Sequence, residues 1–244
     1  MSQTLITILL YTCIPLITFV SGGAIATYFK PNATFRSVIL HFAAGVVFSV
    51  VAVELLPDIV HRHQPLYVAI GFLIGTGLML MIKDFTEKDE NKHKTIDAIP
   101  KIPISFLVAI GVDILIDGFL LGIGFASGAK AGLLLTLALA LEMFSMGMAV
   151  ALELEKERIP KQKSFFHIVA LSSLFLVSAT LGGTLLQNLS NDWMEVVLSF
   201  GLSALLFLVT EELLVEAHNE EDKPMYTATF FIGFLIFLIL GMTV

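Results

Sequence analysis

The chain has 244 residues, of which 57% are hydrophobic and 14% charged, and its net charge is -7 at pH 7. A soluble domain carries roughly 25% charged residues, so a water-soluble monomer is excluded. The negative balance without a basic stripe excludes a nucleic-acid binder. A disulfide scaffold is excluded by a single cysteine, and a disordered chain by 20 Phe. What remains is an all-α polytopic membrane protein. Its apolar runs last about 20 residues, the length of a membrane helix, whereas a barrel needs alternating strands of about ten.

Eight such runs follow in chain order, at about 4–29, 35–60, 66–83, 102–128, 131–155, 164–188, 193–216 and 225–244. Pro31, Pro65, Pro103, Pro160 and Pro224 stand in or beside the connections, where helices start or stop. No basic stretch precedes the first run, so it is expected to be a membrane helix and not a cleaved leader. The polar, lysine-rich connection at about 84–101 is expected to be a mobile loop within a single transmembrane domain spanning 1–244. Cys13 is expected in the core, and Trp193 as an interfacial anchor.

With eight spans, alternate connections share a side. Of the 14 Lys and Arg residues, all but Arg62 and Lys130 fall on one side. Basic residues favour the cytoplasmic face. This predicts a cytoplasmic 84–101 loop and extracytoplasmic termini, in the plasma or inner membrane of the cell.

Ionisable residues at mid-span cost about 2.5–3.5 kcal/mol each on insertion scales, which makes them candidates for function. The second run holds Glu54 and Asp58, the fourth Asp113 and Asp117, the fifth Glu142, and the seventh Glu211, Glu212 and Glu216. All are acidic, and no Lys or Arg stands at mid-span beside them. Their partner is therefore expected to be a cation or a proton. Asp113 and Asp117 lie one helical turn apart on one face. The short connection near residue 129 makes the fourth and fifth runs an antiparallel hairpin. Counting from it, Asp117 is about 12 residues away and Glu142 about 13, the same depth at 1.5 Å per residue. Asp113 and Met146 are both about 17 away, roughly 6 Å deeper. Converging carboxylates suit a hard divalent cation held through oxygen; protonated acids hydrogen-bonded to neighbouring helices are the other reading. His218, after Glu216, is expected to line the exit. Gly118 with Gly122, and Gly124 with Gly128, have the spacing of close helix packing.

Two matches suggest an inverted repeat. Glu54-Leu55-Leu56-Pro57-Asp58 parallels Glu212-Leu213-Leu214-Val215-Glu216, in runs that cross in opposite directions. Asp113, Asp117 and Gly118 parallel Glu142, Met146 and Gly147 in the same way. Transporters often place polar residues at the interface of such repeats, near the midplane.

These residues resemble the ZIP (Zrt/Irt-like) family of divalent-metal transporters over nearly the whole chain. The resemblance rests on the eight spans with both termini outside, on Phe42-Ala43-Ala44-Gly45 followed by Glu54-Leu55-Leu56-Pro57-Asp58, on Glu212 to His218, and on the acid–glycine patterns of the fourth and fifth runs. It implies an eight-helix inverted-repeat fold that moves a divalent metal (manganese, iron or zinc) into the cytoplasm. The metal residues it implies are Asp113, Asp117, Glu142 and Met146, with Glu54, Asp58, Glu211, Glu212, Glu216 and His218 along the path. The metal is substrate; no organic cofactor is expected. The expected partners are the metal ion, the lipid bilayer and a second copy in a homodimer, with no nucleic acid.

The departures shape the expected selectivity. The family's usual His is Asp113 here, its Asn is Ile114, its Pro is Ile116, and a usual Glu is Met146. A site of carboxylates without imidazole favours manganese or ferrous iron over zinc, and Met146 pulls mildly the other way. Two competing functions stand beside transport: a non-transporting metal sensor or scaffold of the same fold, and an intramembrane enzyme. Glu211-Glu212 is similar to the paired glutamates of some membrane proteases, but His-Glu-x-x-His does not occur and no nucleophile has a base in register. No enzymatic activity is expected.

Overall fold

The computed structural model describes residues 3–92, 104–185, 189–218 and 223–243. All secondary structure among them is helical, and eight helices are long and apolar enough to cross a membrane. They are α1 (Gln3–Phe29), α2 (Ala33–Arg62), α3 (Pro65–Lys92), α4 (Ile104–Ser127), α5 (Ala129–Lys156), α6 (Lys161–Leu185), α7 (Asn191–Ala217) and α8 (Pro224–Thr243). The chain is an all-α integral membrane protein. Helix α3 runs to Lys92, past residue 84 where the polar connection begins. The rest of the expected 84–101 loop lies outside the described residues.

Helix ends follow local chemistry. Asn32 caps α2 by accepting from the Phe35 N–H at 2.8 Å. Pro65 and Pro224 open α3 and α8, where a missing N–H costs nothing. His63 closes α2 in the left-handed conformation, with φ 53°.

Two four-helix bundles make up the molecule. One contains α1, α4, α5 and α6; the other contains α2, α3, α7 and α8. The most extensive seam between them is α2 against α5. Exchange α1 with α6, α2 with α7, α3 with α8 and α4 with α5, and the four most extensive packings map onto one another. The α1–α5 pair becomes α6–α4, and α3–α7 becomes α8–α2. Odd helices exchange with even ones, so the repeat is inverted.

The repeat reaches single residues. A Cβ on Gly75 of α3 would press on the Phe200 carbonyl of α7, and one on Gly233 of α8 on the Phe42 carbonyl of α2. Gly75 to Gly233 and Phe42 to Phe200 are both steps of 158 positions, the step that carries Glu54 onto Glu212. In the other bundle, Gly147 of α5 lies on the Phe19 carbonyl of α1, and Gly118 of α4 lies against Phe175 and Ser178 of α6. These are small-residue seams, which let backbones touch where lipid supplies no hydrophobic drive. Gly118 and Gly122 both serve the α4–α6 seam, as their spacing suggests. Gly124 and Gly128 do not make such a pair: Gly124 meets the Leu135 side chain, and Gly128 meets nothing within 4 Å. Cys13 is exposed on the outer face of α1, not in the core. Trp193 is exposed in the first turn of α7, as an interfacial anchor would be.

Candidate metal centre

The α4–α5 hairpin places Asp113, Asp117 and Glu142 together, with one oxygen of each within 4.8 Å of the others. Equal depth along two antiparallel helices is the reason, as the residue count from the turn anticipates. Asp117 is 2% exposed and Glu142 is 1% exposed. Oδ2 of Asp117 and both carboxylate oxygens of Glu142 have no hydrogen-bond partner among the described residues. A buried carboxylate left this way is costly unless a cation or a proton joins it. No basic side chain among the described residues does so. A fourth acid, Glu212 of α7, comes within hydrogen-bonding reach of Asp113. The site is thus built by one bundle and completed by the other.

A cavity of about 430 Å³ opens from this cluster towards one end of the bundle. Asp113, Glu142, Met146 and Glu212 line its deep part, and Glu216 lies further out. Arg36, near the start of α2, and Lys156, at the end of α5, also line it. Met146 is 9% exposed and lines the cavity together with Asp113. His218 does not line this cavity. Its Nδ1 lies 2.6 Å from the Leu214 carbonyl, and its ring is 5.1 Å from that of buried His41.

The expectation that every mid-span acid lacks a basic partner is corrected. Glu54 pairs with Lys130 at 3.2 Å and Asp58 with Arg62 at 3.1 Å. Glu211 pairs with Lys83 and Glu216 with Arg36, each at 2.6 Å. The bases stand near the ends of the apolar spans. Arg62 meets Asp58 one turn away on the same helix, and the long stems of Lys130, Lys83 and Arg36 carry their charge to an acid on a neighbouring helix. Asp58 also accepts from the Ser127 hydroxyl at 3.2 Å.

Two features were not anticipated. Glu195 of α7 is fully buried, and its Oε2 is 3.6 Å from Arg62 Nε. It stands one turn into an apolar run, where an acid reads as interfacial; its alignment with Arg62 across two helices has no sequence signal. The second is a π-helical turn in each arm of the α2–α7 repeat, at Val51–Leu55 and Leu208–Leu213. The wider turn shifts the register of side chains after it, and Glu54, Glu211 and Glu212 all lie in these turns. Pro57 follows the first, but Val215 stands in its place after the second, so proline is not the common cause.

No family model and no curated protein matches the chain.

Proposed function

We propose that this protein carries a divalent metal cation across the membrane into the cytoplasm, as a divergent member of the ZIP family. The observation that supports this most is the trio Asp113, Asp117 and Glu142: buried, converging, and without a basic partner among the described residues. The cavity that reaches it from one face supplies a route. A midplane carboxylate site that binds its ion suits a carrier better than a channel, because tight binding slows exit. The bias of basic residues sets the open end, at Arg36 and Lys156, towards the cytoplasm.

Uptake of radioactive Mn²⁺, Fe²⁺ and Zn²⁺ into proteoliposomes tests the reading. Saturable uptake of a divalent metal is expected. A protein that binds metal without moving it would instead be the sensor or scaffold of the same fold.

Selectivity follows from ligand chemistry. Oxygen donors without imidazole favour manganese or ferrous iron relative to zinc. Asp113→His combined with Met146→Glu is expected to raise zinc transport relative to manganese in a competition assay. A tenfold preference for zinc in the unaltered protein, about 1.4 kcal/mol, would refute the ligand-hardness reasoning.

Orientation has its own test. In a Cys13→Ala background, Ser190→Cys is expected to react with an impermeant thiol reagent on intact cells, and Glu157→Cys to be protected. The opposite pattern would invert the assigned direction.

A further inference from the structure

We propose that Glu54 is the counterpart of Glu212 for the opposite face of the membrane, and that Lys130 holds it away from the metal site while the cavity is open as described. This rests on the transporter reading and adds to it a residue and a latch.

The inverted repeat is the first ground. The step of 158 positions that maps Gly75 onto Gly233 and Phe42 onto Phe200 also maps Glu54 onto Glu212. Both acids sit in a π-helical turn, which is absent from the other six spans among the described residues. The same exchange swaps α5 with α4. Glu212 leaves its own bundle to meet Asp113 of α4; Glu54 leaves the same bundle to meet Lys130 of α5. The two acids thus occupy equivalent places, one at the carboxylate site and one in an ion pair.

The placement of the ion pair is the second ground. Among the described ion pairs, Lys130–Glu54 is the one that crosses from one bundle to the other. It lies at the end where the hairpin turns, and the Ser127–Asp58 hydrogen bond crosses beside it. Glu54 is shielded there, its side chain 14% exposed. Leu134, one turn in from Lys130, is 1% exposed. At the opposite end the cavity lies open between α2, α4, α5 and α7. One end is thus tied and the other apart. Breaking the tie releases Glu54, and the symmetry of the repeat directs it to the Asp117 and Glu142 end of the cluster when that face opens.

Thiol labelling of purified protein in detergent tests the latch without requiring transport. In a Cys13→Ala background, Ala149→Cys reports the open cavity and Leu134→Cys the closed end. Lys130→Gln is expected to slow labelling of Ala149→Cys and speed that of Leu134→Cys, so that the ratio of the two rates shifts about fivefold, the change in equilibrium that a part-buried ion pair of about 1 kcal/mol gives. Lys130→Arg is expected to restore both rates. Unchanged rates in Lys130→Gln overturn the latch. Mn²⁺ titration tests Glu54 itself: Glu54→Gln is expected to weaken Mn²⁺ binding more in Lys130→Gln protein than with Lys130 intact, and an equal effect in both overturns its role. Should the unaltered protein bind no divalent metal, the transporter reading fails and Glu54's ligand role with it, while the labelling rates still decide the latch.

Discussion

Asp117→Asn and Glu142→Gln are each expected to abolish metal uptake and weaken Mn²⁺ binding by about a hundredfold or more, since loss of even an outer partner of a metal ligand costs 10–100-fold. The same variants are expected to raise the melting temperature of metal-free protein. These carboxylates are buried and converge, and Oδ2 of Asp117 and both oxygens of Glu142 have no hydrogen-bond partner among the described residues. Folding brings like charges together, and an amide of equal size removes the repulsion; a gain of about 1–2 kcal/mol is the scale of an unsatisfied buried polar group. A residue that merely held the fold would show the reverse, lower stability with or without metal. Calorimetric titration with Mn²⁺ and thermal unfolding in detergent, run on the same preparations, measure both quantities. Lower metal-free stability in both variants would show the acids to be structural.

The glycine seams carry the second large effect. Gly147→Ala and Gly22→Ala are each expected to destabilise by about 1–3 kcal/mol, the usual range for overpacking. A methyl group at either position would run into a backbone carbonyl, of Phe19 or of Phe144, which cannot turn aside as a flexible side chain can. Gly75→Ala and Gly233→Ala, being equivalent in the repeat, are expected to match one another. Gly77→Ala serves as the contrast. Nothing lies within 4 Å of a Cβ there, so alanine's better helix propensity is expected to leave stability unchanged or raise it by up to about 1 kcal/mol. Melting temperature and the fraction monodisperse after heating check the series.

Much of the fold is legible in the sequence because the membrane simplifies the problem. A helix that must bury its own backbone polar groups across about 30 Å announces itself by length alone, and all eight spans fall where the apolar runs lie. The heart of the site was legible for a related reason: a short hairpin converts residue counting into depth, which aligns Asp117 with Glu142. Helix partners were not legible. Gly147 seals a seam and Gly128 does not, yet both are glycines in apolar surroundings; which face meets which helix is a tertiary fact. The Glu54–Lys130 pair escaped because it joins two helices, and only the Lys130 stem brings its charge to Glu54; Asp58 and Arg62, one helical turn apart, have a spacing the sequence does show. Glu212 was visible as an acid, but its meeting with Asp113 depends on a π-helical turn that no local residue pattern encodes.

The glycine contacts also divide the molecule mechanically. Every described glycine whose Cβ would strike a neighbouring helix's backbone at under 3.0 Å does so within its own bundle. Gly201 faces across the boundary and meets the side chains of Leu120 and Ile123 there; Gly241 lies against Val53 of its own bundle and touches the Leu134 side chain across the boundary. Backbone against backbone is a stiff joint, since neither side has a rotatable bond with which to yield. Side chain against side chain is compliant, because rotamers can exchange as the surfaces slip. Stiffness is therefore concentrated inside each bundle and compliance between them. The carboxylates of α4 and α5 stand on one side of the compliant joint and Glu212 on the other, so a small slip there would change how closely Glu212 approaches Asp113 with little strain inside either bundle.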